Sequence, residues 1–212
     1  AAAAAGAAPQ PGSVWQRELQ ADFAALEQHV VDDTAIVWSN GAYAEHGGEG
    51  VAAGGLWYGE ASERNGAFLV DGHPSAARAE LAAVVVAIER DDRPLTVRCD
   101  NRWVVDGLNG RIARYRARAF FHRPLRAEPV AEHDLWRRAS RAMVRRAAAG
   151  HATRVEWVKS RATQADVAAG RASKLDACGN MHAHALATAV RRDAAARAHH
   201  HAGAGAAAAP RR

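Results

Sequence analysis

Three polar side chains, Asn40, Glu80 and Asp100, fall where the pattern of the chain changes, and their types and placement suggest a ligand site. Asn40 stands in Ser39-Asn40-Gly41 at the expected end of a β-branched run, and Asp100 follows a second such run. Glu80 lies in the first turns of the helix predicted between them. Open α/β sheets gather ligands at strand ends near a reversal of strand order. Taken singly, each residue has a plainer role: Asn40 forms a turn, Glu80 favours a helix N-terminus, and Asp100 caps the helix that follows. Their joint placement is what points to a site.

A second group carries different chemistry. Arg111, Arg114, Arg116, Arg118, Arg123 and Arg126 interleave with Tyr115, Phe120 and Phe121. Guanidinium groups contact phosphates in bidentate fashion, and aromatic faces stack on sugars or bases. The stretch therefore predicts nucleic-acid contact. The competing expectation is a solvated basic loop with Phe120 and Phe121 tucked into the core.

The elements that must position these residues follow from periodicity. Ala1–Ser13 and the end from about Ala194 are low-complexity tails, the latter with the His199–His201 run. Trp15, Leu19, Phe23, Leu26 and Val30 share one helical stripe, predicting an amphipathic helix over Val14–Val30. Thr34–Trp38, Gly50–Tyr58 and Gly66–Val70 read as strands joined in an antiparallel meander. Ser75 is the expected N-cap of a helix reaching Arg90, with Leu81, Val84, Val85 and Ile88 as its apolar stripe. Leu95–Cys99 is a strand, and Asn101 to about Leu108 is helical. His133–Ala149 is a helix with Asp134 at its start and arginines towards its end, as the macrodipole prefers. Arg154–Val158 is a fifth strand, and Asn180 to about Arg192 a final helix, preceded by an extended loop over Gln164–Asp176. This order describes a mixed α/β fold, a sheet flanked by helices. The expected domain spans 34–192, after a tail and short helix over 1–33 and before a disordered Ala/His/Arg tail over 193–212.

Bulk properties narrow the function classes. The 212 residues fit one domain with tails. Cys99 and Cys178 are too few for a disulfide framework and lack metal-ligand spacing, so a reducing compartment, nuclear or cytoplasmic, is expected. No apolar run approaches the roughly 20 residues that cross a bilayer, and the N-terminus reads poorly as a secretory signal. The chain has no initiator Met and is expected to be a piece of a longer reading frame. The net charge of +5 comes almost entirely from arginine, which leans towards a polyanionic partner, although GC-rich codon bias accounts for it equally well.

Several local motifs, in order, resemble those of ribonuclease H type 1, in the form found in retroelement polyproteins. They are Ser39-Asn40-Gly41-Ala42, the Gly-rich Ala52–Gly59, Arg78-Ala79-Glu80-Leu81, Asp100–Leu108, Asp134-Leu135-Trp136, Trp157-Val158-Lys159 and Gly179-Asn180 with Ala183, Leu186 and Ala187. The resemblance covers about Thr34 to Val190, and the loop Gln164–Asp176 is similar to variants of dinoflagellate retroelements. It implies a five-stranded mixed sheet, three antiparallel strands followed by parallel additions. It also implies an endonuclease that cuts the RNA strand of RNA–DNA hybrids with two metal ions, Mg²⁺ or Mn²⁺, held by four carboxylates.

Carried over residue by residue, the resemblance leaves Glu80 and Asp100 as metal-binding and catalytic carboxylates. Asn40 replaces the first-strand Asp, His184 replaces the final-helix Asp, Arg161 replaces a loop His and Met181 an acidic or polar residue. An amide lacks the charge to bridge two dications, and an imidazole suits Zn²⁺ or Mn²⁺ better than Mg²⁺. Asp106 and Asp176 are the nearest compensating carboxylates, and Asp176 serves only if it fills the place of His184. The basic stretch coincides with the family's substrate-gripping protrusion. Expected partners are an RNA–DNA hybrid or double-stranded nucleic acid and the other domains of a retroelement polyprotein, with no membrane, for a monomeric domain. Three functions remain open: an impaired hybrid nuclease, a non-catalytic hybrid- or duplex-binding module, and a decaying retroelement copy without a role.

Overall fold

The computed structural model describes residues 34–46, 49–122 and 128–207. The expected helix over Val14–Val30, the tail before it, Arg123 and Arg126 lie outside the described residues. Strands β1 (Ala35–His46), β2 (Glu49–Trp57), β3 (Gly66–Leu69), β4 (Leu95–Cys99) and β5 (Thr153–Trp157) form one sheet in the order β3-β2-β1-β4-β5. β1–β2 and β2–β3 are antiparallel, whereas β1–β4 and β4–β5 are parallel. The expected mixed five-stranded sheet is therefore the one observed.

Helices α1 (Ala76–Arg90), α2 (Arg102–Asp106), α3 (Ile112–Ala117), α4 (His133–Ala148), α5 (Gln164–Ala168) and α6 (Lys174–Ala207) complete the fold. A π-helical turn, Gly107–Arg111, joins α2 to α3. α1 and α4 cover one face of the sheet and α6 the other. The two faces have separate cores: Val37, Leu56 and Val97 meet the apolar residues of α1, while Trp38 and Trp57 meet Cys178, Ala183 and Leu186 of α6. Alternation along β1 sends Val37, Ser39 and Gly41 towards α1, and Trp38 and Asn40 towards α6.

Several elements differ from the sequence-based expectation. Ser39-Asn40-Gly41 is not a turn: β1 runs through it, with Asn40 opposite Gly55 and Gly41 opposite Gly54. Asn-Gly favours hairpin turns, but here the glycine answers a packing demand. A Cβ on Gly41 would strike the α1 backbone at Ala79 and Glu80. Nor is α1 apolar along a single stripe, since every residue from Leu81 to Ile88 is buried. α4 packs on its outer side, so both sides of the helix lie in apolar surroundings. Asn101, rather than Asp100, caps α2, its side chain accepting from the Val104 amide. The loop over Gln164–Asp176 contains α5, closed by a capping box between Thr163 and Asp166. The final helix starts at Lys174 and continues to Ala207, past the expected end near Arg192.

Two arginines fasten the α1–α4 layer. Arg78 donates to Glu132 at 2.7 Å, to Asp134 at 2.9 and 2.5 Å, and to the Asp71 carbonyl at 2.5 Å. Asp134 is thus a clamp on α1 as well as a charge at the start of α4. Buried Arg146 donates to the carbonyls of Asp91 and Arg93 and to Thr153 Oγ1, joining the end of α4 to the α1–β4 loop and β5.

At Gly179 of α6 a Cβ would enter the Trp38 ring. Gly179→Ala is expected to destabilise the domain by about 1–3 kcal/mol, the usual cost of overpacking. The check is the urea unfolding midpoint, which should fall with an unchanged m-value.

Candidate active site

The parallel β1–β4 ladder ends at the pair Ser39–Cys99. The next residues on the two strands, Asn40 and Asp100, are therefore neighbours at the carboxyl end of the sheet. α1 brings Glu80 from one side, and α6 brings Asn180 and His184 from the other. Asn180 and His184 are four residues apart and so share a helix face. These residues line one cleft of about 630 Å³ together with Arg161 and Met181.

The cleft floor is a closed hydrogen-bond network. Asn40 is only 3% exposed. Its amide nitrogen donates to Asp100 Oδ2 at 3.1 Å and to Asn180 Oδ1 at 3.2 Å. Asn180 donates to the same Asp100 oxygen at 3.0 Å. On its other side, Asn40 Oδ1 meets His184 Nδ1 at 2.9 Å, which makes Nδ1–H of the imidazole the donor. His184 Nε2 faces the Thr188 hydroxyl at 3.4 Å. Both ends of the Asn40 amide are thus used within the protein.

Glu80 is held differently. Its Oε2 accepts from the Gly41 backbone N–H at 2.9 Å, so the close approach of α1 to β1 also aims the carboxylate. Burial, then the nearby Asp100 charge, pushes the Glu80 carboxyl up to about 8, against the Gly41 hydrogen bond. His184 is shifted downwards, mainly by burial and then by Arg161, Arg191 and Arg192, although Asp100 opposes this. Arg161 sits exposed in a left-handed conformation, φ 47°, on the β5–α5 loop.

Sequence reasoning missed Asn180 as a member of the site. The available signal was its spacing from His184. Asp176 does not line the cleft: it accepts from the Trp38 indole at 3.1 Å and from Ser173 at 2.7 Å and lies 3.8 Å from Arg98. Asp106 does not line it either. Beside the cleft, Trp157 donates its indole N–H to the Asp100 carbonyl at 3.1 Å, and Arg102 lies 4.1 Å over the Trp157 ring. That half-open cation–π pair was also unforeseen.

The basic stretch divides. Arg111 donates to the Trp103 carbonyl at 2.8 Å, and Tyr115 packs against Trp136 with ring centroids 5.7 Å apart. Phe120 is buried, and Phe121 half-buried. Arg114, Arg116 and Arg118 are exposed.

This strand order has counterparts among known proteins. The RNase H family model matches residues 32–191. The chain belongs to the ribonuclease H family. A Ribonuclease H of Schizosaccharomyces pombe (strain 972 / ATCC 24843) is 30% identical over 146 residues, covering 66% of this chain and 53% of that protein. The chain thus spans about half the length of that relative. Among solved structures, LC9-RNase H1, described as a type 1 RNase H with the type 2 active-site motif, aligns with TM-score 0.50 and 18% identity. The alignment covers 77% of this chain and 74% of that one. A foamy viral protease-reverse transcriptase in complex with dsDNA aligns with TM-score 0.50 and 16% identity over 69% of this chain and 96% of that one. At these identities the structural likeness establishes the fold.

Ribonuclease H domains generally use divalent metal. Two Mg²⁺ ions require several hard anionic oxygens close together. This cleft supplies the carboxylates of Glu80 and Asp100, and one Asp100 oxygen already accepts two amide hydrogens. Among the described residues, no group of three or more His, Cys, Asp or Glu is arranged to hold a metal ion. The residues present do not fit a two-metal centre.

The raised Glu80 pKa carries a stability signature. Folded Glu80 keeps its proton up to about pH 8, against 4.5 for the free carboxyl. Its contribution is therefore fully present below about pH 4.5 and lost as pH rises through about 8. Between pH 5 and 9 the wild-type urea midpoint is expected to fall more than that of Glu80→Gln, whose amide stays neutral throughout.

Proposed function

We propose that this domain binds RNA–DNA hybrid or double-stranded nucleic acid and that its hydrolysis of the RNA strand is impaired or lost. The observation that carries this reading is the use of Asn40. Where the resemblance implies a bridging carboxylate, an amide donates to Asp100 and Asn180 and accepts from His184. Metal ions in this family activate water and stabilise the leaving oxygen, and two carboxylates are too few to hold them. Nucleic-acid contact rests on the exposed Arg114, Arg116 and Arg118, on Arg123 and Arg126, and on the Arg102–Trp157 pair beside the cleft. Arg111 and Tyr115 support that surface from within by packing. The motif resemblance further assigns the domain to a retroelement polyprotein.

Cleavage of a labelled RNA–DNA hybrid tests this. With Mg²⁺ or Mn²⁺, the wild type is expected to cleave no faster than the Glu80→Gln/Asp100→Asn variant. Asn40→Asp combined with His184→Asp is expected to raise the rate by at least about tenfold, or about 1.4 kcal/mol of barrier. Glu80-dependent wild-type cleavage that Asn40→Asp/His184→Asp does not accelerate would sink the impairment reading. Binding is measured separately without metal: log affinity for hybrid should fall linearly with log salt. No binding at low salt would leave a copy without function.

A further inference from the structure

Away from the cleft, α3 and α4 leave a groove between them. It comprises two adjoining cavities of about 600 and 260 Å³ that share Arg116, Ser140 and Val144. Its floor is apolar: Ile112 and Phe120 come from the α3 side, and Met143 and Val144 from α4. Val144 is 49% exposed and lies over the floor shared by the two cavities.

The rim is cationic on both sides, with Arg116 on α3 and Arg137, Arg141 and Arg145 along α4. Arg137 is partly engaged, donating to the Ala119 carbonyl at 3.1 Å. Arg116, Arg141 and Arg145 have no ion-pair partner among the described residues. An apolar floor between two cationic rims is complementary to an amphipathic helix whose apolar stripe is bordered by carboxylates.

The chain itself contains such a segment outside the described residues. Trp15, Leu19, Phe23, Leu26 and Val30 fall on one stripe at 100° per residue. In that projection Glu18 and Asp22 border the stripe on one side and Glu27 on the other, while Arg17 falls opposite. Over residues 14–33 there are five carboxylates and one arginine, the reverse of the chain's overall balance.

The point of attachment also agrees. The segment joins β1 at Ala35, which pairs with Leu95, which pairs with Thr153. Two strand spacings, about 10 Å, separate Ala35 from Thr153. α4 ends at Ala148, just before that strand, so its C-terminal half and the start of β1 lie at the same end of the sheet. A helix over 14–30 is about 25 Å long, enough to run along the rim from Arg145 to Arg137.

We propose that the acidic amphipathic segment Val14–Val30 of this chain docks into the α3–α4 groove, with its apolar stripe on Ile112, Met143 and Val144 and its carboxylates on Arg141 and Arg145 of the rim. This occupant covers the exposed Val144 and neutralises Arg141 and Arg145 at once. A nucleic-acid backbone would answer the rim but not the floor.

Hydrogen exchange on the full 212-residue chain provides the test, with two variants at exposed positions, Arg141→Glu/Arg145→Glu and Val144→Asp. In the parent, amides 14–30 are expected to exchange roughly tenfold or more slowly than in a free peptide of that sequence. In each variant their exchange should return to the free-peptide rate while the β4 amides stay protected, showing that the domain remains folded. Absence of protection in the parent, or protection that survives either variant, overturns the proposal. Protection that grows with protein concentration also overturns it, because the occupant is then a second copy. So does weaker hybrid binding in Arg141→Glu/Arg145→Glu with exchange of 14–30 unchanged, which makes the groove a nucleic-acid surface.

Discussion

The backbone of α1 rests directly on β1 at Gly41, and the backbone of α6 rests on β2 at Gly55. These two contacts, one on each face of the sheet, set the width of everything between them. A side chain at either glycine would enter helix backbone, which cannot swing aside as a rotamer can. Because α1 lies so low, the Gly41 amide reaches Glu80, and because α6 lies so low, Asn180 and His184 reach Asn40. The cleft therefore arises from helix–sheet approach, and its geometry is as stiff as the two cores that press the helices inwards.

Within that frame the balance of charge decides what the cleft can do. A site for two dications concentrates carboxylates whose mutual repulsion is relieved only by the metal. In this cleft hydrogen bonds to Asp100 offset part of that repulsion. Two amide N–H groups converge on Asp100, the His184 imidazole satisfies the remaining Asn40 oxygen, and Glu80 takes up a proton more readily than a free carboxyl. Buried polar groups that are satisfied internally give little driving force for a cation to displace them. Asn40 and His184 are thus coupled, since the Asn40 oxygen takes the His184 N–H.

Much of this was readable in order and spacing. Ser75 as N-cap, β4 at Leu95–Cys99 and α4 from His133 follow from capping chemistry and periodicity, which act over a few residues. Glu80 and Asp100 were legible as a pair for the same reason, each standing beside a well-marked element. Ser39-Asn40-Gly41 misled because its glycine serves contact with α1, and no local signal distinguishes that from a turn. The burial of α1 on both sides was equally hidden, because it depends on α4, a helix more than forty residues later in the chain.

The sequence alone determined most of the elements, the mixed sheet and the two carboxylates beside its strand ends, because hydrophobic period, caps and residue identity are written locally. Tertiary structure decided what those residues do. It made Asn180 the second donor to Asp100, diverted Asp176 to Trp38 and Arg98, and turned Tyr115 inwards against Trp136. Each of these contacts joins residues far apart in the chain or on separate elements. Their partners are chosen by how closely the helices settle on the sheet, a distance that no local pattern encodes.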